Sequence, residues 1–236
     1  MSGTDDRVEH TFVVAVPVER AWQAFTDGAE RSRWEAPEYA IDARPGGKLR
    51  WRIPPWAPVD GEVLEIEPHR RLVTTEGAGI LEGATRVTVT FESVEHGTRI
   101  TVVQAGFGTG AGWQDQLEGH RHGWLRSLRD LALYLETGVV SQRFFSPWHC
   151  DLGMFVAESF AGLRVTEVSP GGWAAEAGVQ AGDLVLYVDG LPIFERTDLW
   201  SFQIASRPGD RLTIEVARNR SRVRGKGELR SIATAR

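Results

Sequence analysis

Between Gly112 and Gly138 the apolar positions Trp113, Leu117, Trp124, Leu128, Leu131 and Leu135 are spaced by 4, 7, 4, 3 and 4 residues, and Leu125, Ala132 and Leu133 widen the stripe. That spacing is the period of an amphipathic helix. It predicts about seven turns over about 38 Å, with Gly112 just before the first turn and Gly138 as a left-handed C-cap. A helix of this length needs a broad apolar surface to lie on, and the residues before it read as strands that supply one.

Residues 8–16 alternate weakly and are rich in Val and Phe, a strand pattern that Pro17 ends. Val18, Ala21, Trp22 and Phe25 share one face of a helix stopped by Asp27-Gly28, and residues 29–34 form a second short helix closed by Pro37. Strands are predicted at 39–43, 48–53, 61–67, 71–75, 85–93 and 98–106, with a turn at Arg44-Pro45-Gly46-Gly47. In 48–53, Leu49, Trp51 and Ile53 alternate with Lys48, Arg50 and Arg52, so one face is apolar and the other basic. Sequential strands with tight turns imply an antiparallel meander, and helices grouped at its ends imply an α+β class. A curled sheet on one long helix encloses volume, and whether that volume is filled or hollow decides function.

After the helix the composition shifts. Residues 139–150 read as a linker, but Phe144, Phe145 and Trp148 make it too apolar for a free tether, so it is expected to pack on one domain. Strands follow at 163–168, 184–188 and 211–218, with a short helix at 174–177 closed by Gly178 and a longer one at 198–206 with Thr197 or Asp198 as its N-cap. The predicted organisation is a domain at 1–138, the linker, a second domain at 151–230 and a tail at 231–236. Arg218, Arg220, Arg222, Arg224 and Lys226 fall at every second position and would share one face if extended. A solvated sheet edge that discourages pairing explains them; an acidic partner is the alternative.

A net charge of −5 and a pI near 5.7 give no pull toward nucleic acid or an anionic membrane. No membrane-spanning apolar window and no basic-then-apolar leader is present, and the single Cys150 forms no intrachain disulfide, so a reducing cytoplasm is the expected location. Nine tryptophans form either an aromatic core or the lining of an apolar cavity. Cys150 follows His149, yet no acidic orienter is fixed nearby. His120 and His122 lie two apart on the long helix and point to different sides, unlike a metal pair. His120 falls on the apolar stripe, as an acid/base or ligand contact or as a plain core histidine. The run from Gly106 to Gly112 lacks the Lys-Ser/Thr of a phosphate loop and reads as a flexible gate. No serine triad or carboxylate pair can be assembled from spacing, so no catalytic residue, metal or cofactor is expected.

Two stretches carry resemblances. Val16-Pro17-Val18-Glu19-Arg20-Ala21-Trp22, Pro45-Gly46-Gly47, Gly61-Glu62-Val63-Leu64-Glu65-Ile66-Glu67-Pro68 with Arg71-Leu72-Val73, Gly97-Thr98-Arg99, and Gly123-Trp124 with Leu128, Leu131 and Tyr134-Leu135-Glu136 resemble the SRPBCC (START/Bet v 1-like) superfamily, in the branch named after the activator of the heat-shock protein 90 ATPase. The strand from Arg71 departs from that pattern by running into Thr75-Glu76-Gly77-Ala78-Gly79 where an aromatic is usual. The resemblance implies a helix-grip fold that holds a small hydrophobic molecule between helix and sheet. Phe25, Trp34, Trp51, Val89, Phe91, Val102, Phe107, Trp113, Leu117, His120 and Trp124 are the cavity candidates by position, with mutual packing as the alternative for each.

The second stretch, Val165-Thr166-Glu167-Val168-Ser169-Pro170, Ala174-Ala175, Ala177-Gly178-Val179, Gly182-Asp183-Leu184-Val185, Val188-Asp189-Gly190 and Arg207-Pro208-Gly209, resembles a PDZ domain of the bacterial HtrA-protease type, a small β-barrel-like fold. It implies that a partner protein's C-terminal peptide adds as a strand. Leu152, Gly153, Met154 and Phe155 would hold the carboxylate, and Leu199, Phe202 and Gln203 would form the groove wall. Thr197-Asp198 stands where a histidine would select Ser or Thr, so an apolar last residue is expected on the peptide. The leading expectation is therefore a non-enzymatic binding and adaptor protein. A cyclase- or hydrolase-like enzyme using the cavity, and a chaperone-accessory protein, are the alternatives.

Overall fold

The computed structural model describes residues 6–53, 58–77, 83–141 and 150–231. The chain divides into two compact units, 1–144 and 145–236.

In the first unit, β1 (Arg7–Val14), α1 (Val18–Thr26) and α2 (Gly28–Arg31) precede β2 (Glu38–Ile41), β3 (Lys48–Arg52), β4 (Val59–Glu67), β5 (Arg71–Gly77), β6 (Ala84–Val94), β7 (Gly97–Ala105) and α3 (Ala111–Thr137). The strands form one antiparallel sheet in the order β1-β7-β6-β5-β4-β3-β2. Alternation sets its faces. Val87, Val89 and Phe91 of β6 are buried beside Gln104, Val102 and Ile100 of β7, their register partners. On β3 the basic side chains are matched across the ladder: Lys48 to Glu62, Arg50 to Asp60 and Arg52 to Glu38.

The long helix is where the apolar spacing predicts it. Leu117, Trp124, Leu128, Leu131, Tyr134 and Leu135 are buried, and Gly138 caps the helix at φ 76° with its N–H on Tyr134 O. Polar contacts fix its C-terminal end. Tyr134 Oη donates to Glu30 at 2.8 Å and accepts from Arg33 at 3.2 Å, while the Arg20 guanidinium lies 5.1 Å over the ring. Several elements differ from their predicted bounds: β1 and β2 end two residues early, at Val14 and Ile41, and β4 and α3 begin two residues early, at Val59 and Ala111. The second helix is shorter than 29–34: Asp27 caps it at Ala29 and Glu30, and the chain then tightens as Arg33 and Trp34 donate to carbonyls three residues back. The strand expected at 71–75 runs on to Gly77, because Glu76 pairs with Gly61 on one side and Thr85 on the other.

The second unit comprises β8 (Cys150–Asp151), β9 (Met154–Ser159), β10 (Gly162–Val168), α4 (Trp173–Glu176), β11 (Leu184–Val188), β12 (Leu191–Pro192), α5 (Arg196–Ala205), β13 (Arg211–Arg218), β14 (Ser221–Glu228) and β15 (Arg230–Ser231). The sheet order is β14-β13-β11-β10-β9, with β12 on β11 and β8 paired to β15. Leu163, Trp173, Val185, Ile214 and Leu229 are buried at its centre, and the Trp173 indole donates to Leu212 O at 3.1 Å. The helix expected at 198–206 starts two residues earlier. Asp198 sits in its first turn and accepts the N–H groups of Phe194 and Glu195, at 2.8 and 3.1 Å.

The five alternate cations do not lie on one strand. Asn219 and Arg220 take positive φ, 49° and 64°, and make the tight turn between β13 and β14. Arg218 therefore turns to the buried Asp183, 2.7 Å away at two nitrogens, and only Arg222, Arg224 and Lys226 remain on β14.

β14 lies directly on the backbone of the segment around α4. A Cβ on Gly225 would stand 1.8 Å from Ala177 O, and one on Gly227 2.4 Å from Trp173 O. Gly225→Ala must push strand and helix apart, so urea unfolding should report a loss of about 1–3 kcal/mol, against little change for Ser221→Ala on the same strand. A loss of stability no larger than that of the control would mean the two backbones are not this close in solution.

Candidate functional site

The concave side of the first sheet holds charge. Arg31, at the end of α2, is 1% exposed and donates through Nε and Nη2 to both carboxylate oxygens of Glu35, the second at 3.1 Å. Its Nη1 reaches Phe25 O at 3.4 Å, and its guanidinium lies 4.4 Å from the Tyr39 ring centre, 5.6 Å from Phe25 and 5.8 Å from Trp34. Glu76 of β5 is 2% exposed and close enough for its charge to be felt by this group. Helix α2 and strands β2 and β5 thus bring together two carboxyls, a guanidinium and a phenol.

Sequence spacing did not reveal this cluster. Arg31 and Glu35 at i and i+4 look like a surface ion pair. The readable signal was the alternation in β5, where Leu72, Thr74 and Glu76 share a face once the strand is carried past Thr75.

The eleven cavity candidates fall into three groups. Phe25, Trp34, Val89, Phe91, Val102, Leu117 and Trp124 are buried in one core cluster. Phe25 packs 4.9 Å from Trp34 and 5.3 Å from Phe91, ring centre to ring centre, so these aromatics occupy each other's space. Phe107, Trp113 and His120 are half-buried and form a second group, with Phe107 6.4 Å from Trp113 and 5.5 Å from His120. His120 Nδ1 bonds its own helix at Gln116 O, 2.7 Å away, and burial lowers its pKa. Trp51 stands apart from both groups, half-buried opposite Tyr39. Between core and cluster runs a satisfied polar chain: Trp124 Nε1 donates to Gln104 at 2.6 Å, Gln104 to Thr85 at 2.7 Å, and Thr85 to Glu76 O at 3.3 Å.

In the second unit, Leu152 and Gly153 form the loop between β8 and β9, and Met154 and Phe155 open β9. Gly153 adopts φ 63° with its Cα against Gly172, an approach that leaves no room for a side chain. Its N–H donates to Asp151 Oδ1 at 2.8 Å. Helix α5 runs beside this stretch: Gln203 reaches Cys150 O at 3.4 Å and Arg196 reaches Val156 O at 2.8 Å. Leu199 is buried in the core and Phe202 packs on it. Val165, the partner of Val156, turns its own N–H and C=O to Asp183 and Gly182, so the backbone groups of Val156 face outward. The Cys150 thiol donates to Ser206 O, and burial raises its pKa; His149 lies outside the described residues. Among the described residues no cluster of three His, Cys, Asp or Glu could hold a metal, and no helix is long and apolar enough to cross a membrane.

Residues 15–136 match the family model described as activator of Hsp90 ATPase homolog 1-like protein, slightly more than half of the chain. The chain belongs to that family. Residues 164–218 match a PDZ domain. A 91-residue stretch is 35% identical to a probable periplasmic serine endoprotease, DegP-like, of Pseudomonas fulva (strain 12-X); this is 36% of the chain but 19% of that relative, so the chain spans less than a fifth of its length. Among solved structures, the Aha1 dimer of Colwellia psychrerythraea is 18% identical at TM-score 0.50, over 56% of this chain and 97% of that one. DynU16, of the dynemicin biosynthetic locus, is 20% identical at TM-score 0.53, over 96% and 86%. These likenesses establish the fold: a curled SRPBCC sheet on a long helix, then a PDZ unit.

Within the activator-homologue unit, the buried charges have a pH signature. Burial, reinforced by the Glu35 charge and opposed by Arg31, pushes Glu76 up to about 8; burial also raises Glu35 against Arg31, and it raises the Tyr39 phenol. Between the ordinary carboxylate range and pH 8 the unfolded chain has lost the Glu76 proton while the folded chain keeps it. Stability therefore falls as pH rises through that window, by up to about 1.4 kcal/mol per pH unit from Glu76. Urea unfolding from pH 5 to pH 8 should show this decline, and Glu76→Gln should flatten it. An identical slope in the variant would place the Glu76 carboxyl in water.

Proposed function

We propose that the chain is a non-enzymatic adaptor that holds a small apolar molecule in its activator-homologue unit and a partner protein's C-terminal peptide in its PDZ unit. The observation that carries this reading is the outward edge of β9 beside α5, last in its sheet, with the backbone of Val156 turned toward the helix. An extended peptide can add there as a further strand, directed to the loop at Gly153, with its last side chain against Phe202. Cys150 as a protonated buried thiol suits a reducing compartment.

The loop carries a built-in opponent. Asp151 holds the Gly153 N–H, one of the donors a terminal carboxylate would use, and adds a like charge. A fluorescent peptide ending in a free-acid valine should bind measurably by anisotropy, and its C-terminal amide should not. Asp151→Asn should tighten the free acid severalfold, most at low salt, and leave the amide unchanged. Equal binding of acid and amide would reject this groove as a carboxylate site.

For the first unit, native mass spectrometry of protein from its own source should show a stoichiometric hydrophobic adduct that denaturation releases. A ligand-free mass, with no thermal shift across lipid and polyketide panels, would reject that half of the reading. A second reading, a cyclase- or hydrolase-like enzyme using the cavity, would appear as turnover of the released molecule.

A further inference from the structure

Four buried polar atoms on β2, β3 and β5 have no hydrogen-bond partner among the described residues: Tyr39 Oη, Trp51 Nε1, Arg71 Nε and Glu76 Oε1. The sheet register sets Tyr39 directly beside Trp51, with Glu76 farther along the same face. Tyr39 is opposite Trp51, and Glu76 is opposite Gly61, which is in turn opposite Leu49, two residues from Trp51 on the same face. Gly61 sends no side chain between them, and a Cβ there would stand 1.9 Å from Thr75 O, so no larger residue fits. Tyr39 and Trp51 also line an open recess of about 530 Å³ whose rim carries Arg50 and Arg52.

Tyr39, Trp51 and Glu76 each carry a proton to donate, and the phenol and the carboxyl accept as well. An indole N–H only donates. Burial keeps the Tyr39 phenol protonated, and Glu76, pushed up to about 8, holds its proton at neutral pH. Arg31 behind them is committed to Glu35, and the rim cations Arg50 and Arg52 face Asp60 and Glu38. A buried donor left without an acceptor destabilises the fold. One bound acceptor oxygen would satisfy the Tyr39 and Trp51 donors together.

We propose that Tyr39 and Trp51 form a hydrogen-bond-donating recess that holds a small, mostly apolar molecule by a carbonyl or phenolic oxygen. The proposal rests on the reading of the first unit as a holder of such molecules and names the group that orients them. It separates the rings of Tyr39 and Trp51, which contribute apolar contact, from their two donors, which select an oxygenated ring over a bare hydrocarbon.

Fluorescence titration of the full chain with 2-naphthol and with naphthalene tests it, since the two share their rings and differ by one hydroxyl. The expected result is 2-naphthol bound about tenfold tighter or more. Tyr39→Phe and Trp51→Phe should each remove much of that preference, leave naphthalene affinity nearly unchanged and melt near the parent temperature. Equal affinities for the two probes, or a preference that survives both substitutions, would overturn the recess while leaving the apolar cavity standing. Binding of neither probe would overturn the cavity reading and the recess with it. Should Tyr39→Phe fail to fold, the comparison of the two probes on the parent chain and on Trp51→Phe still decides.

Discussion

Arg31 carries a charge it cannot give up, in a place water does not reach. Burying an ion is tolerated only with a counter-charge and saturated hydrogen bonds, and losing one partner of such a pair is far worse than never having had it. Glu35 supplies the charge and Phe25 O a further acceptor, while the rings of Tyr39, Phe25 and Trp34 offer their faces to the remaining guanidinium surface. One cation thus engages Phe25 of α1, the turn after α2 and Tyr39 of β2. It also sets the protonation of its neighbours. With Glu35 already neutralising Arg31, a second carboxylate at Glu76 would be an uncompensated buried charge, and the carboxyl keeps its proton instead.

The interior of the first unit is consequently uneven. Near α1 it is filled by the rings of Trp22, Phe25, Trp34 and Phe91, packed edge-to-face or tilted with centres 4.9–5.3 Å apart. Along α3 the polar atoms are satisfied in sequence, from the Trp124 indole through Gln104 and Thr85 to a β5 carbonyl. At the β2–β3 end the sheet carries half-buried aromatics outside the core and polar atoms without partners. A closed core places its polar groups in pairs, so an end of the sheet that does not is where a ligand would complete the packing.

The sequence made the scaffold legible because the scaffold obeys periodicity. The 4-7-4-3-4 spacing and Gly138 located the C-terminal end of α3, while its first turn begins at Ala111, ahead of Gly112, and the alternation in β3, β6 and β7 assigned their inward faces. The polar site was illegible for the same reason. Arg31, Glu35 and Glu76 violate the pattern, and a charged residue in a short helix or near a Gly-rich strand end is taken for surface unless its partners are known. Glu76 lies 41 positions from Glu35 and 45 from Arg31 in the chain, a distance no local rule spans. At α2, β5 and α5 the bounds slipped where a side chain or a neighbouring strand, and not propensity, ends the element.

The PDZ unit shows the opposite logic at its two sheet edges. An exposed edge invites pairing with any extended chain, and charged side chains are the usual deterrent. β14, at one end of the strand order, carries Arg222, Arg224 and Lys226. β9, at the other end, opens with Met154, Phe155, Val156 and Ala157, none charged, and Phe155 is 56% exposed. The cation nearest this edge, Arg196, reaches it from α5 and takes one carbonyl, at Val156. A side chain on a helix can swing away in a way that a charge fixed on the strand cannot. The guarded edge and the open edge of one sheet are thus distinguished by composition alone, and only the open one lies beside the helix and loop that a bound strand would need.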